Sequence, residues 1–275
     1  MREIRLYNKT PVSPHRITNR FRIPLTYFPI GDTMKNITVL GSSGAIGSAF
    51  VRYYARAFPD ATVHAVSQSE IALESSTKAN AVVHIPIQYD SEQSIEDAAK
   101  AVSEKSKIDL LLIATGILHG DDLEPEKSLK DLSHSNFQKL FEANTIVPAM
   151  LMKYFLPHLQ RSERSICATL SARVGSISDN RLGGWYAYRA SKAALNMIIK
   201  NAAIETKRKN KNAIIVGLHP GTVDSALSKP FQKNVPEGKL FSPEYSVEKL
   251  ASVIQSLKHE DLGKCSAWDG QEITP

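Results

Sequence analysis

Tyr188 and Lys192 lie four residues apart in GGWYAYRASKAAL, the stretch from Gly183 to Leu195. If that stretch is helical, the phenol and the ammonium stack on one face. Ala187, Ala190, Ala193, Ala194 and Leu195 favour a helix, and the nearest breakers are the two glycines upstream. A free phenol titrates near about 10, so at neutral pH it is a weak acid and its anion a scarce base. An ammonium alongside stabilises the phenolate and draws the pKa toward working range. The pair therefore reads as an acid/base unit, against the plainer reading of two residues that share a helix face by chance. Tyr186 stands six residues before Lys192 and faces elsewhere.

A second signature lies upstream. GSSGAIG sets Gly41, Gly44 and Gly47 directly after the apolar run Asn36–Leu40. Glycines let a backbone approach phosphates, and the N-terminus of a following helix offers free N–H groups and a positive dipole end. Ser42 and Ser43 add hydroxyl donors, and Ile46 completes the turn. This is where the pyrophosphate of a dinucleotide is expected; the plain alternative is a tight turn without a ligand. An NAD-preferring site places an acid at the end of the second strand for the adenosine ribose. Between Ala61 and Ser69 there is none, and Ser67 and Gln68 would not repel a 2′-phosphate. No Arg stands there either. The expected cofactor is NADP, with NAD as the alternative.

These residues need elements to hold them. Short apolar, β-branched runs read as buried strands at Asn36–Leu40, Thr62–Val66, Ala81–Ile87, Asp109–Ala114, Ser165–Leu170 and Ala213–Leu218. Helical stretches fall between and after them, at 49–58, Ile71–Lys78, 94–103, 137–159 (bent or broken by Pro148 and Pro157), 185–207 and 247–257. The alternation predicts an α/β protein with a doubly wound parallel sheet and helices on both faces. No linker divides residues 34–275, which read as one domain.

At 275 residues, with 42% hydrophobic and 23% charged residues, the composition is that of a globular protein with a full core. No apolar run reaches the length of about 18 to 20 residues that a membrane span requires. Cys167 and Cys265 are far apart and form neither a disulfide framework nor a metal spacing, which suits a reducing, cytoplasmic setting. The net charge is +6, and residues 1–33 hold six Lys/Arg against two acids. The basic character is concentrated there, so it carries no nucleic-acid inference. That segment lacks periodicity, contains four prolines and has no apolar signal region. Met34 opens MKNITVLG as a natural start would. Residues 1–33 are expected to be a basic extension, disordered or produced by a mis-set start.

Turn, strands and Tyr/Lys helix, in this order, resemble the short-chain dehydrogenase/reductase family from Lys35 onward. LSARVGSISDNRLGGWYAYRASKAALN and HPGTVDSALSKPFQ look like its C-factor and sniffer-like carbonyl reductase branch. The resemblance implies a Rossmann fold in which Tyr188 exchanges a proton with the substrate oxygen. It implies that Lys192 lowers the Tyr pKa and holds the nicotinamide ribose. Asn144, in FEANTIVP, matches the helix Asn that steadies a relay water. Pro220, Gly221, Thr222 and Val223 match the loop that closes over nicotinamide, with the Val223 backbone as the carboxamide contact. Leu227, Phe231 and the segment to Phe241 match the lid over the substrate.

Three departures stand out. Gly44 comes one place early and Ala45 fills the usual glycine position. The fourth strand ends in Ile113-Ala114-Thr115-Gly116 in place of Asn-Asn-Ala-Gly, with Thr115 as a weak substitute for the lost Asn support. The serine that assists Tyr188 is expected at Ser171, one residue before the usual place, where Ala172 stands; Ser176 is the alternative. A one-residue shift reverses direction on a regular strand, unless a bulge or strand end intervenes. Trp185 and Tyr186 serve either the substrate pocket or the core. His119, His134, His158 and His219 have no ligand spacing and read as surface or packing residues. The expected function is hydride transfer between a nicotinamide and a carbonyl or secondary alcohol; the alternative is a dinucleotide-binding signalling protein with little turnover. The expected partners are a small-molecule substrate and further copies of the chain, as a dimer or tetramer, without nucleic acid or membrane.

Overall fold

The computed structural model describes residues 34–70 and 82–275. The extension 1–33 and the helix expected at Ile71–Lys78 lie outside the described residues. β1 (Asn36–Leu40) is buried throughout and runs into the glycine turn. α1 (Ala45–Ala57) starts four residues earlier than expected, because Gly44 adopts an extended N-cap conformation at φ −71°. It stops at Phe58, before Pro59, which disfavours helical backbone in the residue ahead of it. β2 (Thr62–Ser67), β3 (Val82–Pro86), α2 (Glu92–Val102) and β4 (Leu110–Ile113) follow. The hydroxyl of Ser91 caps α2 by accepting the Ser94 N–H at 3.2 Å.

The long helical stretch expected over 137–159 is broken into α3 (His134–Phe141), a π-helical turn (Glu142–Ile146) and α4 (Val147–Phe155). Pro148 has no N–H, and its ring crowds the carbonyl four residues back, that of Asn144. The widened turn occupies that position, and such turns recur at functional sites. β5 (Ser165–Leu170), α5 (Tyr186–Lys209) and β6 (Ala213–His219) complete the part read from sequence. β7 (Thr222–Val223) and β8 (Leu240–Phe241) are too short to show a period. α6 (Pro243–Ser256) begins ahead of expectation because Ser242 caps it and Pro243 suits the first helical turn. β9 (Cys265–Ala267) adds a strand that the sequence did not reveal.

The main sheet has seven strands in the order β3-β2-β1-β4-β5-β6-β9. Every pairing in it is parallel. Strand alternation sends Val39, Leu112 and Val216 to one face, where Phe50, Tyr54, Leu250 and Ile254 of α1 and α6 cover them. Leu40, Leu111 and Ile215 go to the other, against Ile95, Leu151, Phe155, Leu195 and Ile199 of α2, α4 and α5. The order reverses between β1 and β4, which opens a crevice at the carboxyl ends of the strands. Among the described residues, no helix is long and apolar enough to cross a membrane, and no His/Cys/Asp/Glu group is placed to hold a metal.

Candidate active site

A cavity of about 500 Å³ occupies that crevice. Its walls come from the glycine turn (43–47), the exit of β4 (114–116), the end of β5 (170–172), the start of α5 and the loop after β6.

The turn is shaped by close approach. A Cβ on Gly47 would stand 2.1 Å from the Gly41 carbonyl oxygen, so no side chain fits there. A Cβ on Gly44 would stand 3.4 Å from that oxygen, an ordinary contact, and φ there suits any residue. The early Gly44 and the following Ala45 are therefore accommodated, with Ala45 opening α1. Ser43 and Ile46 line the cavity. Ser42 and Ser67 do not: Ser42 Oγ donates to Ser67 Oγ at 2.8 Å, and Ser67 Oγ donates to the Ser69 carbonyl at 2.6 Å. They tie the turn to the end of β2.

Tyr188 and Lys192 face the same cavity from α5 and are 7% and 4% exposed. Lys192 Nζ lies 6.0 Å from the centre of the phenol ring and donates to the Leu170 carbonyl at 3.2 Å. Burial pushes the Tyr188 phenol up to about 12 and pulls the Lys192 ammonium down to about 8. The spacing argument expected the ammonium to lower the phenol. In the chain by itself desolvation prevails, because both groups have left water and the one hydrogen bond described for the ammonium goes to the Leu170 carbonyl.

Ser171 is brought into this cavity and Ser176 is not. β5 ends at Leu170, so Ser171 lies past the strand and escapes its alternation. Its Oγ donates to Asn196 Oδ1 at 2.6 Å. Ser176 Oγ instead donates to the Thr274 carbonyl and accepts the Asp179 N–H at 3.1 Å.

Asn144 is fully buried in the π-helical turn and does not line the cavity. Its Oδ1 accepts the Ile117 N–H, its Nδ2 donates to the Ile117 carbonyl, both at 2.9 Å, and Nδ2 also donates to Ser191 Oγ at 3.2 Å. It holds the strand exit against α5. A Cβ on Gly116 would stand 3.0 Å from Asn144 Oδ1 and 3.4 Å from Lys192 Nζ, so both approach the bare α-carbon. Thr115 lines the cavity with a buried hydroxyl that has no partner. It does not replace the missing Asn as a brace of the fold; it presents an unpaired polar atom at the wall.

Pro220, Gly221, Thr222 and Val223 form the opposite wall. Gly221 has φ +77°, and a Cβ there would stand 2.6 Å from the Phe241 ring. Phe241 is in turn held edge-on by Trp268 at 4.7 Å. Thr222 and Val223 pair with Leu240 and Phe241, so the residues between them form a flap. Leu227, Ser228 and Phe231 of that flap line the cavity. Trp185 lines it too, meeting Phe231 at 5.0 Å and Tyr188 at 6.1 Å, whereas Tyr186 does not.

Sequence reasoning missed His219. It lines the cavity, its Nδ1 is buried without a partner, and burial pulls its pKa down to about 4. Its place at the end of a central strand was the available signal. It also missed Glu126, 2% exposed beside the start of α5, for which the sequence offers no signal.

A doubly wound sheet, a glycine turn after β1 and a Tyr/Lys pair on the helix after β5 define a class of dinucleotide-type oxidoreductase fold. Residues 35–236 match the short chain dehydrogenase family, and the chain belongs to it. It is 30% identical over 181 residues to 1-hydroxy-2-glutathionyl-2-methyl-3-butene dehydrogenase of Rhodococcus sp. (strain AD45), covering 66% of this chain and 74% of that one. It is 31% identical over 146 residues to C-signal of Myxococcus xanthus, covering 53% and 82%. Among solved structures, NADPH-bound carbonyl reductase from chicken fatty liver superposes with a TM-score of 0.75 at 25% identity, covering 88% of this chain and 99% of that chain. Carbonyl reductase Sniffer of D. melanogaster shares the fold, with a TM-score of 0.72 at 19% identity over 88% and 100%.

Proposed function

We propose that residues 34–275 act as an NADP-dependent oxidoreductase that reduces a carbonyl compound or, in reverse, oxidises a secondary alcohol. One observation carries this reading: Tyr188, Lys192 and Ser171 share one cavity with the glycine turn and the Gly221 loop. The cavity suits a dinucleotide. The Gly47–Gly41 approach keeps any side chain out of the turn. Residues 43–47 at the start of α1, where helical N–H groups lack intrahelical partners, line the cavity, and the Thr115 hydroxyl has no partner. The turn residues 43–47 would hold the phosphates, and Thr115, Gly116, Lys192 and the 220–223 loop the nicotinamide end. The NADPH of the carbonyl reductase neighbour supports the choice of nucleotide.

Held there by residues 43–47, Thr115, Gly116, Lys192 and the 220–223 loop, a nicotinamide would supply hydride chemistry at a carbonyl or alcohol carbon. The chain handles the proton. A phenol pushed up to about 12 keeps its proton through neutral pH and yields it only to a stronger base, the alkoxide that develops as the carbonyl is reduced. Lys192, with Nζ 6.0 Å from the centre of the phenol ring, is the cation that would face the phenolate left behind. Ser171 hydrogen-bonds the same substrate oxygen by exchanging its Asn196 acceptor for it. Asn144 Oδ1 and Lys192 Nζ both approach Gly116, and a relay water restoring the proton would be held beside them.

The test is an NADPH and NADH fluorescence titration followed by turnover on a carbonyl panel. Tyr188→Phe is expected to lower turnover by about 10² or more with NADPH affinity within twofold. Failure to bind either nucleotide would overturn the reading. Tight NADPH binding with no oxidation over the panel would favour the signalling alternative.

A further inference from the structure

The flap hangs by both ends from one clasp. It leaves the body at β7 and returns at β8, where Asp224 N–H meets the Phe241 carbonyl at 2.8 Å. Its remaining bonds are largely to itself. Ser228 Oγ donates to the Val223 carbonyl at 2.5 Å, and Gln232 Nε2 donates to Asp224 Oδ1 and to Ser228 Oγ, each at 2.8 Å. Among the described residues, a single hydrogen bond ties residues 225–239 to anything beyond the clasp: His119 Nε2 donates to the Ala226 carbonyl at 3.0 Å. The same imidazole meets Phe231 edge-on at 5.6 Å. Rings then run on from Phe231 to Trp185 at 5.0 Å and from Trp185 to Tyr188 at 6.1 Å.

His119 itself does not line the cavity. It sits on the strand exit just after Leu118, on a segment that Asn144 fixes through Ile117. A post held by Asn144 thus reaches outward to the flap. We propose that His119 is a positioning residue: it fastens the flap over the cavity and sets where Leu227, Ser228 and Phe231 stand relative to Tyr188. The donor role needs a hydrogen on Nε2, which one neutral tautomer and the charged ring both carry, so the catch does not depend on the charge of the imidazole. The consequence for substrate affinity rests on the oxidoreductase reading; the consequence for the flap does not.

Limited trypsin digestion of the full chain separates the two. Lys233 and Lys239 are exposed flap residues, whereas the bond after Lys229 precedes proline and resists trypsin. His119→Ala is expected to be cut at Lys233 and Lys239 about fivefold faster than the parent, the scale of one lost net hydrogen bond. His119→Gln, which keeps an N–H donor, is expected to restore much of the protection. His119→Phe, which keeps the ring edge alone, is expected to fall between. In turnover, His119→Ala should raise the KM for the carbonyl substrate about fivefold and change kcat less than twofold. Unchanged cleavage at both lysines in His119→Ala and His119→Phe overturns the proposal, as does equal acceleration at Lys207 and Lys209 of α5, which would mark general loosening. A chain that binds no NADPH defeats the oxidoreductase reading and leaves the digestion result intact.

Discussion

The carboxylate of Glu126 accepts the backbone N–H of Ala187 at 3.2 Å, across 61 residues of chain. The Glu126 carbonyl also takes the Trp185 N–H at 2.5 Å. The helix that carries Tyr188 is therefore capped from another segment. Its own N-cap, Trp185, provides no side-chain acceptor, and its first turn holds no acid. Trp185 sits in the left-handed region at φ +51°, which costs a non-glycine residue about 1–2 kcal/mol. The second Glu126 oxygen is buried without a partner, at about 1–3 kcal/mol. Both penalties fall next to Tyr188, where a fixed helix start places the phenol.

Glu126→Ala removes the cap and is expected to lower stability by about 1–2 kcal/mol in a urea titration. Glu126→Gln keeps an acceptor for Ala187 and is expected to stay close to the parent. Equal midpoints for Ala and parent would show that the contact is no cap.

Gly47→Ala drives a methyl into the Gly41 carbonyl and is expected to weaken NADPH binding at least tenfold. Gly44→Ala meets only an ordinary contact and is expected to bind within threefold of the parent. Equal losses would mean that the turn is remodelled when the nucleotide enters.

Ser171→Ala is expected to lower kcat by about 10² or more, in the range of a lost oxyanion donor. Ser176→Ala, outside the cavity, is expected to lower it less than threefold. The reverse order in steady-state kinetics would reassign the serine.

His219 links stability to pH. Burial holds its folded pKa near about 4, against about 6.5 in the unfolded chain. Between those values the unfolded chain takes up a proton that the folded chain refuses. Stability therefore falls as pH drops from 6.5 toward 4 and is unaffected by this residue above that window. His219→Gln is expected to show a shallower acid decline in urea midpoint than the parent. Parallel declines would mean that the imidazole protonates freely in the folded protein.

The central strands were legible because β1, β4, β5 and β6 are buried on both faces and so read as short, mainly apolar and β-branched runs. β7, β8 and β9 were not, since two or three residues carry no period. Pro148 announced a break in its helix, but not that the break would be a π-helical turn that buries Asn144. Tyr188 and Lys192 were legible through their spacing together with the glycine turn and the family resemblance, yet spacing could not give the direction of the phenol shift, which depends on burial. Glu126 was invisible for the same reason: only the folded chain brings it to α5.

The clasp of β7 and β8 has a bearing on how this scaffold diversifies. Two parallel strands of two residues each hold both ends of the flap, and neither belongs to the main sheet. The intervening residues can lengthen, shorten or be exchanged without shifting the register of the main sheet or of α5, which holds Tyr188 and Lys192. The flap is in effect a replaceable cassette mounted on a fixed cavity. Grafting a relative's segment between Val223 and Leu240 is the economical route to a new substrate range.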